Sequence, residues 1–477
     1  MFNDNILRNL KFLLFILLLT IISRLFSSIN YLEDIDSLRF ALSAQNYDVL
    51  NNQPHFPGYP VYCFLLSLLY FLTNSLPIST SLIGGISVFF IIYFTQKINF
   101  KIFKRYSIFL FFIIFFNPFL WLMSNRYMPD LLGLSILVSG IYYIIKNQSH
   151  SSPINLFKFA ISLALLSGVR ISYLPFFLPI LFLLKISDLK YIISISFLVF
   201  LIWFIPWIYI TDLSDLISTA INDSKGHFFR WGGTVMSDNS SFQTRFIKII
   251  ESISADSLGM WWNQRHWITF INSMFLIPFL IYSIIIILKN KIYSNRSFII
   301  IASCFTSYFL WVYFFQNIVY KPRHLMPFIP MFCFLISFSY AFTKNKIKNI
   351  VLRNILVLIL VPYIFITLKL VTQHTNPSTI SQLSSYIQDS SSQKKIIISH
   401  HLMNYYFSKT IDESIIYLNK KSYQSKSKHY YNNNYRIFST SELNNKEYNL
   451  LSVNRFYHNP YVNKLWSSLT LYEYARK

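Results

Sequence analysis

Acidic side chains are scarce in this chain. Only 19 Asp and Glu stand against 42 Lys and Arg, and charged residues make up 13% of the whole. A water-soluble fold of 477 residues needs a larger charged surface, so an ordinary globular protein is excluded. Cysteine is nearly missing. Cys63, Cys304 and Cys333 lie far apart in apolar segments with no metal-ligand spacing, which excludes a disulfide framework and a zinc site. There is no internal repeat and no phosphate loop of the Walker or dinucleotide type. The first apolar run, 11–29, contains Arg24 and lacks a small-x-small cleavage pattern. It reads as a retained membrane helix and not as a cleaved leader.

Hydrophobic residues, in contrast, reach 54%, with 48 Phe and 33 Tyr. Runs long enough to cross about 30 Å of hydrocarbon recur to residue 370, so the chain reads as an all-α polytopic membrane protein. The expected spans are roughly 9–28, 78–96, 106–124, 129–145, 156–169, 172–185, 191–210, 268–288, 297–316, 325–343 and 350–371. Short loops carrying Lys97–Arg105, Lys146, Lys158, Lys185, Lys190, Lys289, Lys291, Lys344 and Lys346 mark the cytoplasmic side. Even crossing numbers between them follow if 58–73 is a re-entrant or interfacial helix, which gives about eleven crossings. The net charge of +23 then reflects orientation and anionic lipid, not nucleic acid. Composition changes at 372. KKIIIS, ESIIYL, YRIFST and LTLYEYA read as strands, so 372–477 is expected to be a small extracytoplasmic α/β domain. Residues 1–371 form the membrane domain, with outer loops 29–57 and 211–266.

The polar residues that matter gather in the outer segments. Glu33, Asp34 and Asp36 fall within four positions beside a membrane helix. Such carboxylates are solvated, serve as a general base, or hold a divalent cation through hard oxygens. Asp130 in SNRYMPD is a second carboxylate or simply a helix start, with Arg126 close by. His227 and Arg230 in GHFFRWGG, with His55, are candidates for a metal or a phosphate, although loop histidines are commonly just solvated. Lys321, Arg323 and His324 in KPRHLMPFIP, and Arg170, are cations at helix mouths. They read as phosphate ligands or as snorkelling side chains. Trp231, Trp261, Trp262 and Trp267 read as interfacial anchors or as surfaces that stack on a sugar. His400 and His401 read as surface residues.

Asp36-Ser-Leu-Arg39-Phe40-Ala41, followed by PHFPGYP, Asp130, His227-x-x-Arg230 and KPRHLMP, resembles the GT-C superfamily of membrane glycosyltransferases. The likeness is to its protein O-mannosyltransferase and aminoarabinose transferase branch, glycosyltransferase family 39-like. It runs in matching order over most of 1–345. It departs in the acidic pair, where Glu33-Asp34-Ile35-Asp36 leaves Asp34 open as the base. It departs also near His55, where the aminoarabinose enzymes have a metal-ligating glutamate.

The resemblance implies inverting transfer of a sugar from a polyprenyl-phosphate-linked donor to an acceptor glycan, lipid or protein outside the membrane. Asp36 would take the acceptor proton, with Asp34 and Asp130 the other catalytic carboxylates. Arg39, Arg126, Arg230, Lys321, Arg323 and His324 would contact substrate or phosphate, and His55 and His227 would serve a divalent metal ion. A transporter or lipid flippase, or a glycan polymerase or ligase, stays open as an alternative. The transferase reading expects Asp36, Asp130, His55, His227, Arg230 and Arg323 around one outer cavity.

Overall fold

The computed structural model describes residues 9–104, 106–149, 152–237, 241–390, 394–411, 415–423, 435–443 and 448–476. The chain forms two compact units. One comprises Met1–Ser28 with Leu42–Thr372, and the other Ile29–Ala41 with Gln373–Lys477.

The first unit is helical. In order come α1 (Leu10–Leu25), α2 (Ile35–Gln45, which the unit boundary divides), α3 (Pro60–Thr73), α4 (Leu76–Phe103), α5 (Ile108–Phe115), α6 (Pro118–Met123), α7 (Asp130–Ser149), α8 (Pro153–Arg170), α9 (Ile180–Leu183), α10 (Ile186–Thr211), α11 (Leu213–Lys225), α12 (Phe242–Glu251), α13 (Ile268–Lys289), α14 (Arg296–Phe315), α15 (Ile329–Lys346), α16 (Ile350–Ile355) and α17 (Leu360–His374). Seven helical stretches among the described residues are long and apolar enough to cross a membrane. Gly84 and Gly85 let α4 lie against the Ser124 carbonyl and the backbone of Ile21, where no side chain would fit. α3 is 14 residues, about 21 Å, which is short of the roughly 30 Å needed for a perpendicular crossing. It starts at a left-handed turn. Gly58 has φ +73°, and a Cβ there would stand 2.6 Å from Trp207.

Two expected spans take other forms. Residues 106–124 break into α5 and α6. Pro118 has no amide proton, and Asn117 starts the second helix by accepting from the Leu120 amide at 3.0 Å. A break inside an apolar interior strands carbonyls that water cannot reach. Side chains take them. Arg24 Nη2 donates to Phe115 O at 2.8 Å, the Tyr363 hydroxyl to Ile113 O at 3.1 Å, and the Thr367 hydroxyl to Phe116 O at 2.6 Å. Arg24 also lies over the rings of Trp121 and Phe115, at 3.8 and 4.6 Å. That explains an arginine in the first apolar helix. Residues 172–185, expected as a span, form instead a 3-10 turn at Ile171–Phe177, which contains Pro175, and the four-residue α9 after Pro179. The Phe177 ring packs on Phe159 of α8 at 5.2 Å, so the chain doubles back at Arg170.

The second unit carries a five-stranded sheet. Its strands are β1 (Lys395–Ile398), β2 (Ile415–Leu418), β3 (Arg436–Ser439), β4 (Tyr448–Tyr457) and β5 (Ser468–Arg476), in the order β2-β1-β3-β5-β4. β1 pairs in parallel with β2 and β3, and β5 runs antiparallel to β3 and β4. Helices α18 (Thr379–Asp389) and α19 (His401–Thr410) complete it. Ile396, Ile398, Ile437, Tyr448 and Tyr474 form a core. All four expected strands are present. β4 escaped notice because YNLLSVNRFY has no regular alternation of apolar and polar residues, and the strand carries a bulge at Leu450/Ser452.

Arg24→Met should lower the stability of the detergent-solubilised protein by about 1–3 kcal/mol, since it leaves Phe115 O unsatisfied in an apolar interior. Thermal unfolding followed by tryptophan fluorescence is the measurement. A midpoint equal to wild type would show that the break is held by other means.

Candidate functional site

In the first unit, four of the polar residues singled out in the sequence converge. Asp130 opens α7 and is 1% exposed. A carboxylate so buried demands a counter-charge. Arg170, the last residue of α8, supplies it, with Nη2 2.9 Å from Asp130 Oδ1. Gly133, one turn into α7, makes room, because a Cβ there would come within 2.7 Å of Arg170 Cβ. Arg170 Nη1 donates to the Tyr59 hydroxyl at 3.1 Å, and Nη2 also lies 3.4 Å from His324 Nδ1. Arg323 approaches the same Asp130 oxygen with Nε at 3.9 Å, and its Nη1 meets Met128 Sδ at 2.9 Å. The Tyr308 hydroxyl fixes the turn by donating to His324 O at 2.8 Å. His55 Nε2 is 3.3 Å from the Tyr59 hydroxyl. Every charge in the cluster stands at a helix end or in the 3-10 turn Pro322–Phe328 before α15.

The long loop before α13 has a different task. The last carbonyls of α14 have no partners within the helix. The loop provides them. Arg245 gives Nε to Tyr313 O and Nη2 to Gln316 O, both at 2.9 Å. The Val235 amide takes Phe314 O at 3.1 Å, and His227 Nε2 takes Phe315 O at 3.0 Å. A carbonyl only accepts, so Nε2 of His227 carries the proton. His227 and Arg230 share a π-turn, yet His227 is half-buried against α14 and Arg230 is exposed. Arg126 and Lys321 are half-buried near the cluster in sequence.

In the second unit the three neighbouring carboxylates have separate environments. Glu33 is 1% exposed, with Oε1 2.9 Å from His374 Nε2. Asp34 Oδ1 accepts from the Ser37 amide at 2.8 Å and caps α2. Asp36, in the first turn of α2 and 2% exposed, has Arg39 Nη1 at 3.7 Å. Arg39 in turn lies 6.0 Å from the Tyr405 ring. The acidic segment, open from the sequence to solvation, a base role or cation binding, is buried at all three carboxylates.

Sequence reasoning passed over Tyr59, Tyr308, Arg245 and His374. Arg245 left a signal, since it interrupts the inward stripe of the amphipathic helix FQTRFIKIIE. Among the described residues no group of three or more His, Cys, Asp and Glu is placed to hold a metal ion. His55 and His227 are each engaged elsewhere, by Tyr59 and by Phe315 O.

No protein-family model matches the chain, and no curated protein matches its sequence. Its architecture is that of a polytopic helical membrane protein with a small terminal sheet domain, as the expected GT-C-like fold requires. Among solved structures it is similar to ArnT from Cupriavidus metallidurans bound to undecaprenyl phosphate. The TM-score is 0.58 over 96% of this chain and 97% of that one, at 10% identity. The apo state of the same protein gives 0.57, with the same coverage and identity.

Burial pushes the His227 imidazole below its usual value of 6.5, helped by the cations Lys321 and Arg170, while the Phe315 carbonyl opposes the shift. A pKa depressed in the folded state means that folding releases protons, so stability falls as pH drops through about 6.5. His227→Gln removes that component. Between pH 7.5 and 5.5 the variant should therefore lose less thermal stability than wild type. Parallel losses would refute the depressed value.

Proposed function

We propose that the protein is an inverting membrane glycosyltransferase. It moves a sugar from a polyprenyl-phosphate-linked donor to an acceptor glycan, lipid or protein on the extracytoplasmic side. The observation that carries the reading is the gathering of Arg170 and Arg323 on Asp130, with His324 against Arg170, in a fold similar to one crystallised with undecaprenyl phosphate. In α7, α8 and α15 this cluster stands at the end opposite Lys146, Lys158, Lys344 and Lys346, which supports an outward-facing site. Charges at helix ends also fit head-group capture better than a midplane transport path.

The acceptor hydroxyl oxygen attacks the anomeric carbon as the bond to the phosphate oxygen breaks. Its proton passes to the Asp36 carboxylate, and polyprenyl phosphate leaves with the bonding electrons. Fixed cations aimed at the leaving phosphate lower the barrier, because its charge grows in the transition state. Arg170 and Arg323 are the principal ones, with Arg126, Lys321 and His324 as further contacts. Asp130 orients the two arginines and does not itself exchange a proton. Asp34 holds the helix start for Asp36. Arg230, exposed beside Phe229 and Trp231, meets lipid phosphates at the membrane surface. A divalent metal is implied by part of the resembling family, but His55 and His227 do not assemble a donor set, and no step is drawn through one.

Purified protein given labelled polyprenyl-phosphate sugars should transfer label to an acceptor. Asp36→Asn should cut the rate about 100-fold or more, the usual worth of a general base. Asp34→Asn should be much milder, because Asn caps a helix about as well as Asp. The reverse order would assign the base to Asp34. Arg323→Ala should reduce kcat/KM for the donor by about 10- to 100-fold through a lost charge-assisted phosphate contact. Acceptor KM should barely move, and an equal change in both would place Arg323 outside the donor site.

A further inference from the structure

We propose that the C-terminal unit serves as a clamp on the acidic segment, with His374 the positioning residue that sets where Asp36 stands. The proposal rests on the reading of Asp36 as the base and gives the terminal unit a part in the reaction.

The segment Tyr31–Asp34 is irregular backbone that leads into α2. Its polar groups are taken one by one from four separate places in the second unit. The Tyr406 hydroxyl on α19 donates to Leu32 O at 2.7 Å, and Ser378, the N-cap of α18, reaches the same carbonyl at 3.4 Å. Asn463 Nδ2, from the turn between β4 and β5, donates to Glu33 O at 3.1 Å. His374, at the end of α17, holds the Glu33 side chain at 2.9 Å, with both side chains 1% exposed. The Tyr31 hydroxyl closes the loop by donating back to His374 O at 2.6 Å, and the two rings meet edge to face.

A surface loop needs none of this. Burying the Glu33 carboxylate is costly unless it is paired, and the His374 contact contributes that pairing. Two consecutive carbonyls are then fixed immediately ahead of the Asp34 cap, and Asp36 lies in the turn that this cap starts. The direction of that first turn, and hence of the Asp36 carboxylate, follows from the clamped backbone. A base must come within about 2.6–3.2 Å of the proton it takes. A displacement of about 1 Å is enough to lose a hundredfold in rate. Sugar donor capture, assigned to Arg170 and Arg323, does not pass through these contacts.

The experiment uses full-length protein in lipid nanodiscs. His374→Phe keeps a flat ring without a donor, and His374→Gln keeps an N–H at similar reach. Amide hydrogen exchange across 31–40 should quicken about tenfold in His374→Phe, as local opening becomes cheaper, while exchange across α7 and α8 stays at wild-type rates. With labelled donor, kcat should fall about tenfold or more and donor KM should stay within about twofold. His374→Gln should recover most of both. The inference is overturned if exchange over 31–40 is unchanged in His374→Phe, if kcat survives the faster exchange, or if donor KM rises as much as kcat falls. Failure of His374→Gln to improve on His374→Phe also overturns it. The exchange readout needs no substrate. Should wild-type protein transfer no sugar, the functional reading fails, while faster exchange in His374→Phe still upholds the clamp.

Discussion

Hydrocarbon offers no hydrogen bonds, and the structure follows from that constraint. Every carbonyl released by a helix break or helix end inside the first unit must find a donor from the protein itself. The break between α5 and α6 is tolerated because Arg24, Tyr363 and Thr367 take three carbonyls. The end of α14 is tolerated because Arg245, His227 and the Val235 amide take four more. An unsatisfied buried acceptor costs about 1–3 kcal/mol, so each break would otherwise cost a large part of a domain's net stability of about 5–15 kcal/mol. Irregular backbone thus becomes affordable only where side chains from distant helices converge on it.

The arginines of the first unit meet different kinds of partner. Arg24 gives Nη1 to the Ser23 hydroxyl and Nη2 to Phe115 O, and Arg245 gives Nε, Nη1 and Nη2 to three carbonyls. Arg170 and Arg323 share one carboxylate, and Arg323 reaches it only at 3.9 Å. Burial of the Asp130 carboxylate is costly unless it is paired, and these contacts pair it.

The helical membrane unit was legible in the sequence because length and apolarity are sufficient signals for a span. The errors fall where proline acts. Pro118 splits one expected span, and Pro175 and Pro179 turn another into a 3-10 return beside α8. The four regular strands were legible from their apolar runs, and the bulged β4 was not. Asp130, Arg323 and His324 were legible as polar residues in apolar surroundings. Their mutual contacts were not, since Asp130 and Arg323 are nearly 200 positions apart. His227 shows the opposite failure. Its spacing from Arg230 suggested chemistry, whereas its Nε2 proton is spent on the end of α14.

Three carboxylates within four residues could not be ranked by sequence, because spacing says nothing about which of them the fold consumes. The structure separates them by hydrogen bonding. Glu33 is held by His374 at 2.9 Å, and Asp34 is held by the Ser37 amide at 2.8 Å. Asp36, in the first turn of α2, has Arg39 Nη1 at 3.7 Å. What holds each carboxylate therefore differs, and no spacing in the sequence discloses it.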